Sequence, residues 1–287
     1  MESTGRVTRT TASPTVARPV RPNAAIQIRY AKRMKSILRE MATSVETWVE
    51  QQRKDVPPEM AMDATPSQQM AAELQTIAER WQNQFDQMGP IIAEEFLRNQ
   101  FKATDSAMRQ ALLAAGWAIE FTMTPPVRDA FEASLAENVG LIRSIPQQYL
   151  REVEGIVMRN YAAGQNMREM VREIKARYAV SAHRAVFIAR DQTFKANSVV
   201  TRARQQELGI KEAQWLHSHA GREPRPTHVA MDGKRYKVDK GMYDSSVKKW
   251  IYPGWLPNCR CVCRSVLPWM PSEQETQTKN QQAGRSQ

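Results

Sequence analysis

Cysteine is scarce in this chain: three residues in 287, at positions 259, 261 and 263. Cysteines so close together cannot bridge distant loops, and an odd number leaves one over, so the disulfide framework of a small secreted protein is not expected. They suit a reducing cytoplasm or a metal site. Long apolar runs are lacking too. The most apolar window, Ala111 to Met123, falls well short of the ~20 residues a membrane helix needs and contains Glu120. Met1 to Asn23 is polar and rich in Thr, Pro and Arg, without the apolar stretch of a secretory signal. The expectation is therefore a chain that is not exported by that route and not held in a membrane. Aromatic residues make up only 7%, which argues against an all-β architecture. No glycine-rich phosphate loop, HExxH or GxSxG motif occurs, so an ATPase, an ordinary zinc peptidase and an α/β-hydrolase lose their motif support.

What the chain does have is helix-forming sequence and positive charge. Lys and Arg number 41 against 30 Asp and Glu, a net +11, which favours contact with a polyanion such as double-stranded DNA or with an acidic protein surface. Part of that excess sits early, at Arg6, Arg9, Arg18, Arg21, Arg29, Lys32 and Arg33, and so belongs to an arm.

Residues 1–25 read as a disordered basic arm: Pro14, Pro19 and Pro22 interrupt them, and no apolar rhythm offsets the chain entropy. Residues 271–287, rich in Gln, Thr and Ser, read as a disordered tail. The interval is helical in period. Met34, Leu38, Met41, Val45, Trp48 and Val49 form one stripe; Met70, Leu74, Ile77, Trp81 and Phe85 form a second, which Gly89-Pro90 is expected to end. A third stretch, Ile91 to Phe121, stops before Pro125-Pro126, which closes a helical region spanning 26–126. A second helical region, 127–209, carries Leu135, Val139 and Ile142, then Tyr149, Val153, Ile156, Val157 and Tyr161, with breaks at Pro146 and Gly164. Met167, Val171, Ile174 and Tyr178 line one further helix, and Ser181 is placed to cap another that stops at Gly209.

The texture then changes. Ile210 to His217 and Lys234 to Val238 have the residues of short strands, separated by glycines and prolines, so 210–270 reads as a small module. The expected fold class is mainly α: a helical bundle-like N-terminal and central region followed by a small α+β, loop-rich C-terminal module.

Two groups in that module carry chemistry. Arg222, Arg225, His228 and Asp232-Gly233 crowd two forked cations, a titratable ring and a carboxylate into a short span, which suits an anion-binding or acid/base site. The plainer alternative pairs Arg225 with Asp232, gives His228 a backbone partner and makes Asp232-Gly233 the turn into a strand. Cys259, Cys261 and Cys263 alternate, so an extended strand turns all three to one side, where they suit either a zinc ion or a small buried face. His228, His217 and His219 are the candidates to complete the tetrahedron. A cysteine nucleophile at Cys259 or Cys261 with His228 lacks any oxyanion feature to support it.

In their order, Ile188-Ala189-Arg190, Leu208-Gly209-Ile210, Trp215, Arg222, Arg225, His228, Asp232-Gly233, Tyr236 and Pro257-Asn258-Cys259-Arg260-Cys261 resemble the phage head-morphogenesis (minor head) family of SPP1 and Mu gpF type, over about Asn138 to Pro268. Asp191-Gln192 and Ala220-Gly221 depart from acidic positions common in that family. The resemblance implies a minor component of the virion head, present in the host cytoplasm during assembly. Its implied partners are the portal protein, capsid or scaffold proteins, and packaged DNA. It implies no established enzyme; the alternative is a metal-dependent or Arg/His-based enzyme, or a zinc-stabilised nucleic-acid-binding protein.

Overall fold

A computed structural model of the protein describes residues 16–52, 66–163, 167–220 and 223–267. It is mainly α, with a small antiparallel module at its C-terminal end. The helices are α1 (Ala24–Gln52), α2 (Pro66–Leu113), α3 (Pro125–Ala162), α4 (Met167–Glu207) and the short α5 (Pro226–Met231). The strands are β1 (Glu212–Leu216), β2 (Arg235–Lys237), β3 (Met242–Asp244), β4 (Lys249–Ile251) and β5 (Val262–Val266). None of the described helices is long and apolar enough to cross a membrane.

Several expected breaks are absent. α2 runs through Pro90 and α3 through Pro146. An internal proline costs a helix about 3 kcal/mol. Around Pro146, however, Ile142, Ile145 and Tyr149 are all buried, and Phe85, Ile92 and Ala93 are buried around Pro90. Each large apolar side chain so buried is worth about 1.5–3 kcal/mol, and that outweighs the local penalty. Ser181 is likewise no cap. It lies inside α4 and is buried, because Met170, Ile174, Ala185, Ile188, Ala196 and Val200 continue one buried stripe along the whole helix. Conversely, the helix expected to reach Phe121 stops at Leu113, where the N–H of Trp117 donates to the Leu112 carbonyl at 2.9 Å.

The chain forms two compact units that do not follow the linear division into 26–126, 127–209 and 210–270. One comprises Ala24–Arg98 and Glu132–Gln192. In it α1 and α2 are antiparallel: Tyr30 stacks on Phe96 with ring centroids 4.0 Å apart, and at the other end the Trp48 indole donates to Glu73 at 2.7 Å. Tyr30 also donates to Asn138 Oδ1 at 2.9 Å, and Asn138 donates to Gln192 Oε1 at 3.0 Å, a buried polar relay joining α1, α3 and α4.

The other unit comprises, of the described residues, those up to Asn23, Asn99–Phe131 and those from Thr193 to Leu267. Ala17, Val20, Met108, Leu112, Trp117, Ile119, Ile210 and Leu267 share one of its apolar clusters. The expectation of a disordered arm through residue 25 is corrected over its described part. Val16 bridges Val266, the N–H of Ala17 donates to the Ser265 carbonyl at 2.9 Å, Val20 is buried, and α1 has begun by Ala24. The apolar pair Ala17 and Val20 flanking Pro19 finds a cluster to fill, which charge and proline content alone did not reveal. Residues 1–15 and the tail 271–287 lie outside the described residues.

Gly209, in the left-handed region at φ +67°, ends α4; Gly209 N–H reaches the Gln206 carbonyl at 3.0 Å and Ile210 N–H the Gln205 carbonyl at 2.8 Å. This turn delivers the chain into β1, the centre of a three-stranded antiparallel sheet of order β2-β1-β5. Ala213 lies opposite Tyr236 on β2 and Ser265 on β5, while Trp215 lies opposite Cys263. β3 and β4 make a separate hairpin.

Candidate functional site

The C-terminal module is packed around Trp215, which is fully buried, together with Ala213, Met231, Tyr236, Ile251, Tyr252, Cys259 and Cys261. α5 starts with Pro226, whose fixed φ suits a first helical position, and two residues later it places His228 against the Trp215 indole, edge to face at 5.3 Å. His228 is buried and has three partners. Its Nε2 lies 3.2 Å from Asp244 Oδ2; its Nδ1 lies 3.4 Å from Cys259 Sγ and 3.7 Å from Cys261 Sγ.

Asp244, at the end of β3, is completely buried. Burial works to raise its pKa, but the Ser246 hydroxyl at 2.6 Å and the Ser246 N–H at 2.8 Å hold it below the usual carboxylate range. An ionised Asp244 accepts the proton of His228 Nε2, which leaves the Nδ1 lone pair facing the two sulfurs.

A hydrogen bond from the Cys261 thiol, and next the closeness of His228, draws Cys259 down to about 4 against its burial. Cys261, as donor to that thiolate and itself buried, is pushed up. Cys259 Sγ also accepts the Gly254 N–H at 3.3 Å. That contact needs glycine. The residue has φ +83°, and a Cβ there would come within 2.9 Å of the Phe194 carbonyl oxygen.

One ligand atom each from His228, Cys259 and Cys261 lies within 4.8 Å of the others. Cys263 is not part of this group. It stands on β5, where Gln205 donates to its sulfur at 3.7 Å, and burial raises its pKa. Same-face neighbours on a regular strand are about 6.5–7 Å apart, whereas two thiolates on one zinc at 2.3 Å stand about 3.8 Å apart. The chain closes that gap between Cys259 and Cys261 only because it turns before β5: Asn258 is left-handed at φ +63° and the Cys259 N–H donates to the Leu256 carbonyl at 2.9 Å. The picture of one strand presenting three cysteines to one ion is thereby corrected.

The other motif residues take separate places. Arg225 donates to the Pro257 carbonyl at 2.8 Å rather than to Asp232. Asp232 accepts the His217 N–H at 2.8 Å and faces His219 Nε2 at 3.0 Å; the first of these, then His219, lowers its pKa. His217 is pushed down by burial and by its neighbour His219. Gly233, at φ +73°, turns the chain toward β2, so Asp232-Gly233 is the anticipated strand entry. Arg222 lies outside the described residues. A cavity of about 350 Å³ opens over the cluster, with His217, Arg225, Asn258 and Arg260 on its walls beside His228, Cys259 and Cys261. Asp244 and Ser246 were not anticipated. Asp-Ser-Ser at 244–246 is a recognisable side-chain-to-backbone turn, but nothing in the sequence ties it to His228.

Residues 151–264 match the model of the phage Mu protein F like family. The match supports the phage head-morphogenesis resemblance, and it contains all of α4 and every member of the His228 cluster. Half of the chain, 144 residues, is 35% identical to an uncharacterized protein of Haemophilus influenzae. The aligned stretch covers only 31% of that protein. No solved structure matches. The family suggests a phage head morphogenesis protein.

Proposed function

We propose that the protein is a phage minor head protein that acts in procapsid and head assembly, associated with the portal protein and with capsid or scaffold proteins. Its place is then the virion head, and the host cytoplasm while heads are built. The observation that carries this reading is the match over 151–264, because it spans the module and the helix that leads into it. The test is recovery of the full chain with procapsids from cells expressing head genes with and without the portal gene. Portal-dependent recovery is expected; equal recovery without portal would overturn the docking claim.

Contact with packaged DNA is a second part of the reading, favoured by the β3–β4 hairpin. Tyr243 and Trp250 are about half exposed there, and Lys240 lies 3.9 Å from the Trp250 ring centroid, with Lys248 in the turn and Lys249 at the start of β4. Contacts of this kind go to the backbone, so affinity should fall steeply with salt and show no sequence preference. Salt-insensitive binding would refute it. The alternative, an Arg/His-based or metal-dependent enzyme, draws on the cavity beside His228. An unaltered assembly phenotype in Arg225→Ala and His228→Ala would leave that alternative without support.

A further inference from the structure

We propose that His228 Nδ1, Cys259 Sγ and Cys261 Sγ hold a zinc ion whose fourth position opens into the neighbouring cavity, with Asp244 as the carboxylate that orients the histidine. This stands independently of the assembly reading. Three soft donor atoms already converge within 4.8 Å, and all three residues are buried. Two thiolates and an imidazole select zinc over hard cations such as magnesium or calcium. They also balance the charge, since two thiolates neutralise a divalent ion that would otherwise be expensive to bury. The partner on the far side of the ring is diagnostic: a ligating histidine ordinarily gives its other N–H to a carboxylate or carbonyl, and buried Asp244, itself fixed by Ser246, is in that position at 3.2 Å.

The fourth position follows from the count. Among the described residues no further His, Cys, Asp or Glu joins the cluster, so those residues supply three ligands. Structural zinc sites are closed by four protein ligands, whereas three plus an exchangeable water or anion is the open type. The same three residues form part of the cavity wall, and Arg225 and Arg260 there favour an anionic occupant.

The test uses the full chain, loaded with zinc for metal analysis and with cobalt(II) as a spectroscopic substitute. One zinc per chain is expected, retained in Cys263→Ser and lost in Cys259→Ser and Cys261→Ser. Because those variants could misfold, the decisive readings come from the wild type. Cobalt should give tetrahedral visible bands with charge transfer from two thiolates, and adding azide should shift them. Asp244→Asn should keep the two-thiolate spectrum but weaken metal affinity about 10–100-fold. Absence of stoichiometric metal would overturn the site. A three-thiolate spectrum, or loss of metal in Cys263→Ser, would overturn the ligand set, and a spectrum indifferent to azide would overturn the open position.

Discussion

Arg204 offers the sharpest test of how the second unit is held together. Its side chain is 2% exposed, yet it is charged, and it makes four hydrogen bonds: Nε and Nη2 to Asp105 at 2.8 and 2.7 Å, and Nη1 to the Thr122 carbonyl at 2.7 Å and to Glu207 at 2.9 Å. It thus ties the end of α2, the 114–124 connection and the end of α4 into one node, with the Phe121 ring stacked under the guanidinium at 4.6 Å. Arg204→Met keeps the length and apolar stem but removes the fork. Losing one member of a fully buried pair costs about 3–5 kcal/mol. Here the carboxylates are 24% and 27% exposed, so they regain water when the arginine is gone. The expected loss is therefore smaller, about 2–4 kcal/mol, much of it from the orphaned Thr122 carbonyl and the lost charged hydrogen bonds. Arg204→Lys should fall between wild type and Met, because a point ammonium cannot make the two-pronged contact. Urea unfolding followed by far-ultraviolet circular dichroism, with the slope checked for constancy, measures all three. A change within about 0.5 kcal/mol for Arg204→Met, the range of ordinary surface substitutions, would refute the reasoning.

Two glycines separate backbone strain from steric conflict. Gly209→Ala meets nothing within 4 Å and should lose only about 1–2 kcal/mol for a left-handed alanine; Gly254→Ala, which meets the Phe194 carbonyl at 2.9 Å, should lose more, and equal urea midpoints would contradict this. Asp232 has a folded pKa below its unfolded value, so its contribution is fully present above the ordinary carboxylate pKa and is lost as pH falls through the folded one. Wild type should therefore melt above Asp232→Asn at pH 6, and the gap should narrow as pH is lowered below the ordinary carboxylate pKa of about 3.9; a gap absent at pH 6 would count against the His217 and His219 contacts. Removing metal by chelation should lower the melting temperature of wild type but not of Cys259→Ser, since a ligand bound only by the folded state stabilises by mass action, about 2.7 kcal/mol at 100 times its dissociation constant.

The helices were legible in the sequence because burial repeats with their period. Met34, Leu38, Met41 and Val45 are fully buried on α1, as the stripe required. Their ends were less legible. Pro90, Pro146 and Ser181 each carry a local signal to stop, and in each case tertiary burial on both sides overrides it, a term that no local window contains. The two compact units draw on distant stretches of the chain for a related reason. Asn99–Phe131 joins the end of α4 through pairs such as Thr104 with Asn197, at 3.1 Å, which are 93 residues apart in sequence.

The site divides the same way. Trp215, His228, Cys259 and Cys261 were visible as residue types whose chemistry is specific, and the structure gathers them. Cys263 was equally visible and is set aside, because ligand geometry depends on ångströms that alternation along a strand does not convey. The turn at Asn258 decides which cysteines meet. Asp244 was invisible, although it fixes which nitrogen of His228 faces the sulfurs. A carboxylate becomes informative only once the fold has removed it from water and placed it behind a ring. Had the sequence carried alanine at 244, the same His and Cys motif would have read identically. His228 would then lack the partner that orients its ring, so the motif residues alone do not define the centre.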